Sequence, residues 1–159
     1  GYLANVVDAA ADGTLAFCSN QQATLVDAST RRVRGICPLR GRAVGVALAE
    51  HHVCACTAER VVHAFARDGL AAAGSHKDHQ AEAAAIVVVD GVCVSGDKRG
   101  MLCWWQLPAV GTAAAKGRSV ARTSPRAEGI LSMAATRRAP HRLAAGYASG
   151  LALVIDATS

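Results

Sequence analysis

The chain has 159 residues, 52% hydrophobic and 18% charged, which excludes a disordered polymer and allows one domain with a real core. Its net charge of +5 favours acidic partners without naming one; 14 arginines against 3 lysines, beside 35 alanines, fit a GC-rich coding bias. The longest unbroken apolar run, Ala83–Val89, is too short for a membrane-crossing helix, and no basic-then-apolar leader opens the chain, so no membrane association is expected.

Taken in order, the chain repeats one design. An apolar run at Leu3–Val7 precedes Leu15–Cys18, a turn at Ser19–Gln22 and Ala23–Val26. Ala43–Leu48 precedes Val53–Cys56, a turn at Ala58–Arg60 and Val61–Phe65. Ala83–Val89 precedes Val92–Ser95, a turn at Gly96–Gly100 and Met101–Leu107. The stretch Pro108–Glu128, rich in Ala, Gly, Arg and Ser, reads as an insertion loop (108–128). It has room for one strand around Ser119–Arg122 and a marginal helix at Ala113–Lys116. Ile130–Ala135 then precedes Leu143–Gly146, a turn at Tyr147–Gly150 and Leu151–Ile155. Short apolar runs separated by Gly, Asp, Asn, Ser or Arg predict strands and hairpins, and alanine's helical preference finds no helical period to support it.

Aligning each hairpin on the position six residues past its last turn residue pairs Asp27, Ala66, Gln106 and Asp156, at intervals of 39, 40 and 50 residues. A period near 40 with four short strands per unit suits a sheet that buries both faces by stacking on its neighbours. The chain reads as one domain over 1–159, and its start at Gly1 suggests a piece of something longer.

Chemistry is sparse. The six cysteines (18, 37, 54, 56, 93, 103) lie in or beside apolar runs, which predicts reduced thiols packed as small hydrophobes in an intracellular, cytoplasmic setting. Cys54 and Cys56 share a strand face near His51, His52 and His63, but Cys-x-Cys lacks paired zinc knuckles, so no metal is expected. Gly111–Ser119 places Lys116 ahead of Gly117, the wrong order for a phosphate loop, and no Gly-x-Ser-x-Gly elbow occurs. Arginines cluster at 31, 32 and 34, with 40 and 42 close behind; at 118, 122 and 126; and at 137, 138 and 142. Loops that converge on one rim would let them contact phosphate, but base-stacking aromatics are nearly absent there.

The segment Ser75–Leu107 resembles a WD repeat. In that family a His-containing loop precedes the inner strand, a Ser-Gly-x-x-x-Gly turn follows, and the next strand ends in Trp-Asp. Here His76 or His79 fills the loop position, Ser95, Gly96 and Gly100 the turn, and Trp105-Gln106 the Trp-Asp position; Val26-Asp27 and Ile155-Asp156 keep the Asp. The resemblance implies an all-β fold, a β-propeller fragment of about four four-stranded antiparallel blades. The turn Asp that family members use to tie His, Ser and Trp together falls at Arg99, with Asp97 two positions away, which implies an incomplete buried network. It also implies a non-catalytic scaffold without cofactor, docking other protein subunits of a larger intracellular assembly. Arg118, Arg122 and Arg126 are its candidate partner contacts, and the remaining blades are expected in sequence beyond this chain. An RNA- or ribosome-associated propeller using the loop arginines is the alternative.

Overall fold

The computed structural model describes residues 6–111, 115–117, 119–136 and 138–157. Its first sheet is β1 (Val7–Ala9), β2 (Thr14–Ser19), β3 (Gln22–Asp27) and β4 (Arg32–Pro38). The second is β5 (Ala43–Leu48), β6 (His52–Thr57), β7 (Val62–Ala66) and β8 (Ala72–His76); the third starts with β9 (Ala83–Val89), β10 (Val92–Asp97) and β11 (Leu102–Gln106). The 108–128 stretch supplies β12 (Ala115–Lys116) and β13 (Ala121–Thr123). β13 pairs antiparallel with β11 as the outer strand of the third sheet, whereas β12 pairs parallel with the free edge of β8. The fourth sheet is β14 (Ile130–Ala135), β15 (Arg142–Tyr147) and β16 (Ala152–Asp156).

Three of the four expected inner strands match the sequence reading residue for residue. In the first sheet β1 is Val7–Ala9, sharing only Val7 with the expected Leu3–Val7, of which Leu3–Asn5 lie outside the described residues. The marginal helix expected at Ala113–Lys116 is corrected where it is described. Ala115–Lys116 is extended because the unpaired backbone of the β8 edge accepts it, continued by Gly117 N–H donating to Ser75 C=O at 2.7 Å. No helix occurs among the described residues.

Ends of β1, β5, β9 and β14 line one cavity of about 760 Å³, and the sheets radiate outward from it as blades I to IV. This is a four-bladed arc of a β-propeller. Three apolar clusters hold it, each drawn from two adjacent blades. Leu25 and Ala16 meet Val46 and Phe65 between I and II; Cys54 and Val62 meet Ile86 and Trp105 between II and III; Val94 and Leu102 meet Ile130 and Leu143 between III and IV. Each fully buried aliphatic side chain is worth about 1.5–3 kcal/mol relative to exposure. Alanine suits this geometry better than a helix, because small side chains let neighbouring sheets approach closely.

Burial explains the two kinds of strand pattern. Every residue of β6 is buried because both faces of blade II are covered, so its middle, Val53–Cys56, is apolar without alternation. By contrast β2 and β16 alternate, because blades I and IV each have one uncovered face. The register makes Leu131 of blade IV equivalent to Val44 of blade II, and Val154 equivalent to Ala64. Leu131 and Val154 are 56% and 68% exposed where Val44 and Ala64 are 1% and 0%. Phe17, Leu15 and Ile36 form the matching bare face of blade I.

Candidate functional site

The loop between β8 and β9 carries His79 back over blade III. Its Nε2 lies 2.7 Å from Ser95 Oγ on β10, and its Nδ1 lies 3.4 Å from Asp97 Oδ2 at the strand's end. Asp97 Oδ1 accepts the backbone N–H groups of Arg99 at 2.9 Å and Met101 at 3.0 Å, and Oδ2 accepts that of Ala81 at 3.3 Å. One carboxylate thus ties the loop entering the blade to the turn between β10 and β11. With Asp97 ionised, the neutral tautomer satisfying both contacts holds its proton on Nδ1 and accepts the Ser95 hydroxyl at Nε2. The hydrogen bonds hold the Asp97 carboxyl below its usual range although its burial pushes the other way.

Of the network expected to be incomplete, the His79–Ser95 part is tied together, while Trp105 packs on His76. Asp97 enters it directly, because the side chain at the first turn position folds back over the following backbone N–H groups. Ser95, His79 and Asp97 even stand in the order of an acyl-transfer triad. Ser95 and Asp97 have no exposed surface and the His79 side chain has none, so no substrate reaches the hydroxyl. The arrangement acts as a brace.

His76, the other loop candidate, ends β8 and meets Trp105 edge to face at 4.9 Å between ring centroids. Both its ring nitrogens are buried without a hydrogen-bond partner, and Asp78 Oδ2 stands 3.8 Å from Nδ1. Burial, aided by the nearby His79, pushes its pKa down to about 4. Asp78 Oδ2 also accepts Ser119 N–H at 2.5 Å and Ser119 Oγ–H at 2.7 Å, which pins the 108–128 stretch against blade III.

Gly96 and Gly100 are required by close approach. A Cβ on Gly96 would meet Ile130 Cδ1 at 2.8 Å and Met133 Sδ at 2.9 Å, atoms that blade IV packs there. Gly100 has φ +83°, and a Cβ would strike the carbonyls of Arg126 and Glu128. Gly100→Ala is expected to lower stability by about 3 kcal/mol, read from the chemical-denaturation midpoint. Gly150→Ala, at the same turn position with φ +87° but open space around it, should lose only about 1 kcal/mol.

Asp27 and Asp156 end β3 and β16, where the 40-residue period placed them. Asp27 Oδ1 accepts from Ser29 N–H, Ser29 Oγ–H and Thr30 N–H, a turn-closing role that holds its carboxyl down to about 2. Of the arginine trio, two members are placed by the structure. Arg118 lies outside the described residues, Arg122 is exposed on β13, and Arg126 Nε is spent on Glu128 Oε1 at 2.6 Å. The larger clusters divide between the two rims, those around Arg31 and Arg138 sharing one. Arg31 and Arg138 sit in the β3–β4 and β14–β15 connections, at the opposite end of the sheets from Arg40, Arg42 and Arg126.

The six cysteines are free thiols, five of them buried, and Cys54 and Cys56 face blade III while His63 packs with Phe65 on the blade I side. Among the described residues no three His, Cys, Asp or Glu side chains gather as a metal site. Two ties escaped sequence reading: Asp78 to Ser119, and Glu82 to both Arg42 and Lys98. Nothing in local spacing announces the Asp78–Ser119 and Arg42–Glu82 contacts, 41 and 40 residues apart, although that separation is the blade period.

No protein-family model matches the sequence, and no curated protein matches it significantly. Solved structures do match in shape. A chain of the mitotic checkpoint complex crystal structure superposes with a TM-score of 0.85 at 14% identity, covering 100% of this chain and 48% of that one. The computationally designed Ika4 protein gives 0.75 at 11% identity, covering 98% of both chains. The designed Ika8 protein gives 0.74 at 12%, covering 96% of this chain and 44% of that one. The chain thus spans about half the length of the checkpoint-complex chain it matches, and the neighbours share the β-propeller fold.

Proposed function

We propose that this chain belongs to a WD-repeat propeller acting as a non-catalytic scaffold, intracellular and cytoplasmic, that holds other protein subunits in a larger assembly. The observation carrying this reading is the likeness, along the whole chain, to half of a chain in a multi-subunit checkpoint complex. The His79–Ser95–Asp97 brace supports it, because a buried network of this kind rigidifies a loop and turn without offering chemistry to a ligand. On this reading the bare faces of blades I and IV are covered by further blades beyond these four sheets. The RNA-binding alternative has less support, since the arginine clusters divide between opposite ends of the sheets.

Cross-linking of the native protein in its cellular assembly tests the scaffold. Lys77, Lys98 and the 108–128 stretch are expected to give cross-links to other polypeptides. Cross-links confined to the protein itself would remove the reading.

A further inference from the structure

Antiparallel sheets radiating from an axis present two rims, and these rims differ. One carries the β2–β3, β6–β7, β10–β11 and β15–β16 turns together with the loops leading into blades II, III and IV. Its loops and turns hold seven Arg and Lys against four Asp and Glu, whereas the described connections of the other rim hold three against four. Among the described loops, most of the positive charge is gathered at one end.

The basic rim is also rigid. The same backbone hydrogen bond recurs in three blades, from the turn to the incoming loop: Ala58 N–H to Arg42 C=O, Lys98 N–H to Glu82 C=O and Ala148 N–H to Gly129 C=O, at 2.9, 3.0 and 2.9 Å. Side chains continue the stitching between blades II and III. Glu82 takes Arg42 Nη2 at 2.9 Å and Lys98 Nζ at 2.6 Å, so one carboxylate serves two cations and leaves a positive charge over. Arg40, Arg60, Lys77 and Arg99 are exposed, and none is ion-paired among the described residues. Against them stands Glu59, packed beside Gly41. Arginine forks suit carboxylates, and a rim already held in place loses little freedom on binding.

We propose that this rim, across blades II and III, docks an acidic extended segment of a partner protein through Arg40, Arg60, Lys77 and Arg99. The proposal rests on the scaffold reading and names the chemistry of its partner. RNA fits less well, because among the described residues no aromatic side chain is exposed on this rim for a base to stack on, and Glu59 and Glu82 interrupt a phosphate track.

The test uses the 159-residue protein and a fluorescent twelve-residue peptide of alternating Glu and Ser, with the Gln-for-Glu peptide and oligo-uridine as controls. The acidic peptide is expected to bind, weakening about tenfold or more between 50 and 300 mM salt. Arg40→Glu with Arg99→Glu should weaken it at least tenfold, while Arg31→Glu with Arg138→Glu on the other rim leaves it unchanged. Circular dichroism and melting of both double variants establish that they fold; if the first does not, Lys77→Gln alone should give about a threefold loss. Equal binding of the Gln peptide, equal loss from either rim, or tighter binding of oligo-uridine would overturn the proposal. Failure here alongside cross-links to protein neighbours elsewhere would leave the scaffold reading standing; absence of such neighbours would remove that reading separately.

Discussion

Asp97→Ala is expected to lower the unfolding free energy by about 4 kcal/mol and the melting temperature by about 10 °C. The carboxylate is fully buried and accepts three backbone N–H groups besides facing His79 Nδ1. Alanine leaves those buried donors without their acceptor and frees both the β8–β9 loop and the β10–β11 turn. His79→Ala should cost less, about 2 kcal/mol, because it strands only Ser95 Oγ, while both Asp97 oxygens keep backbone N–H donors. Since the two residues share a hydrogen bond, the double variant should lose less than the sum of the singles. Guanidinium unfolding of the four proteins checks this. Strict additivity, or a loss below 1 kcal/mol for Asp97→Ala, would mean that the brace is not a coupled unit.

Acid should weaken the fold well above the carboxylate range. Burial lowers the pKa of His76 to about 4 and lowers those of His63 and His52 as well, against an ordinary value of 6.5. Below pH 6.5 the unfolded chain therefore takes up protons that the native state refuses, so stability is complete above that pH and falls as pH drops towards 4. His76 alone accounts for about 3 kcal/mol of the loss. Asp97, whose pKa is lowered, adds its own loss only below about pH 3.8, a separate window. Unfolding midpoints measured from pH 7.5 to 4.5 should decline steadily, and His76→Phe should flatten most of the decline. An unchanged slope in that variant would show that His76 is not the titrating group.

The frame of this protein was legible because it is periodic. Three inner strands fall where apolar runs predict them, and the four aligned positions Asp27, Ala66, Gln106 and Asp156 each end the third strand of their blade. What was not legible depends on side chains folding back or reaching across. Asp97 was discounted for standing two residues from the family's position, yet a turn carboxylate has several nearby N–H groups within reach. The strand β13 overlaps the one expected around Ser119–Arg122, but β12 was hidden in an Ala- and Arg-rich stretch, because its pairing comes from the free edge of β8 rather than from its own composition. The division of arginines between rims needed the strand directions, which residue spacing alone does not count reliably.

The three apolar clusters have a consequence for how the protein comes apart. Each joins only neighbouring blades, so cohesion is transmitted like load along a chain of links. Blades II and III are held from both sides and blades I and IV from one. Opening therefore starts at the outermost sheets and works inward, with the Cys54–Ile86–Trp105 junction as the last link to part.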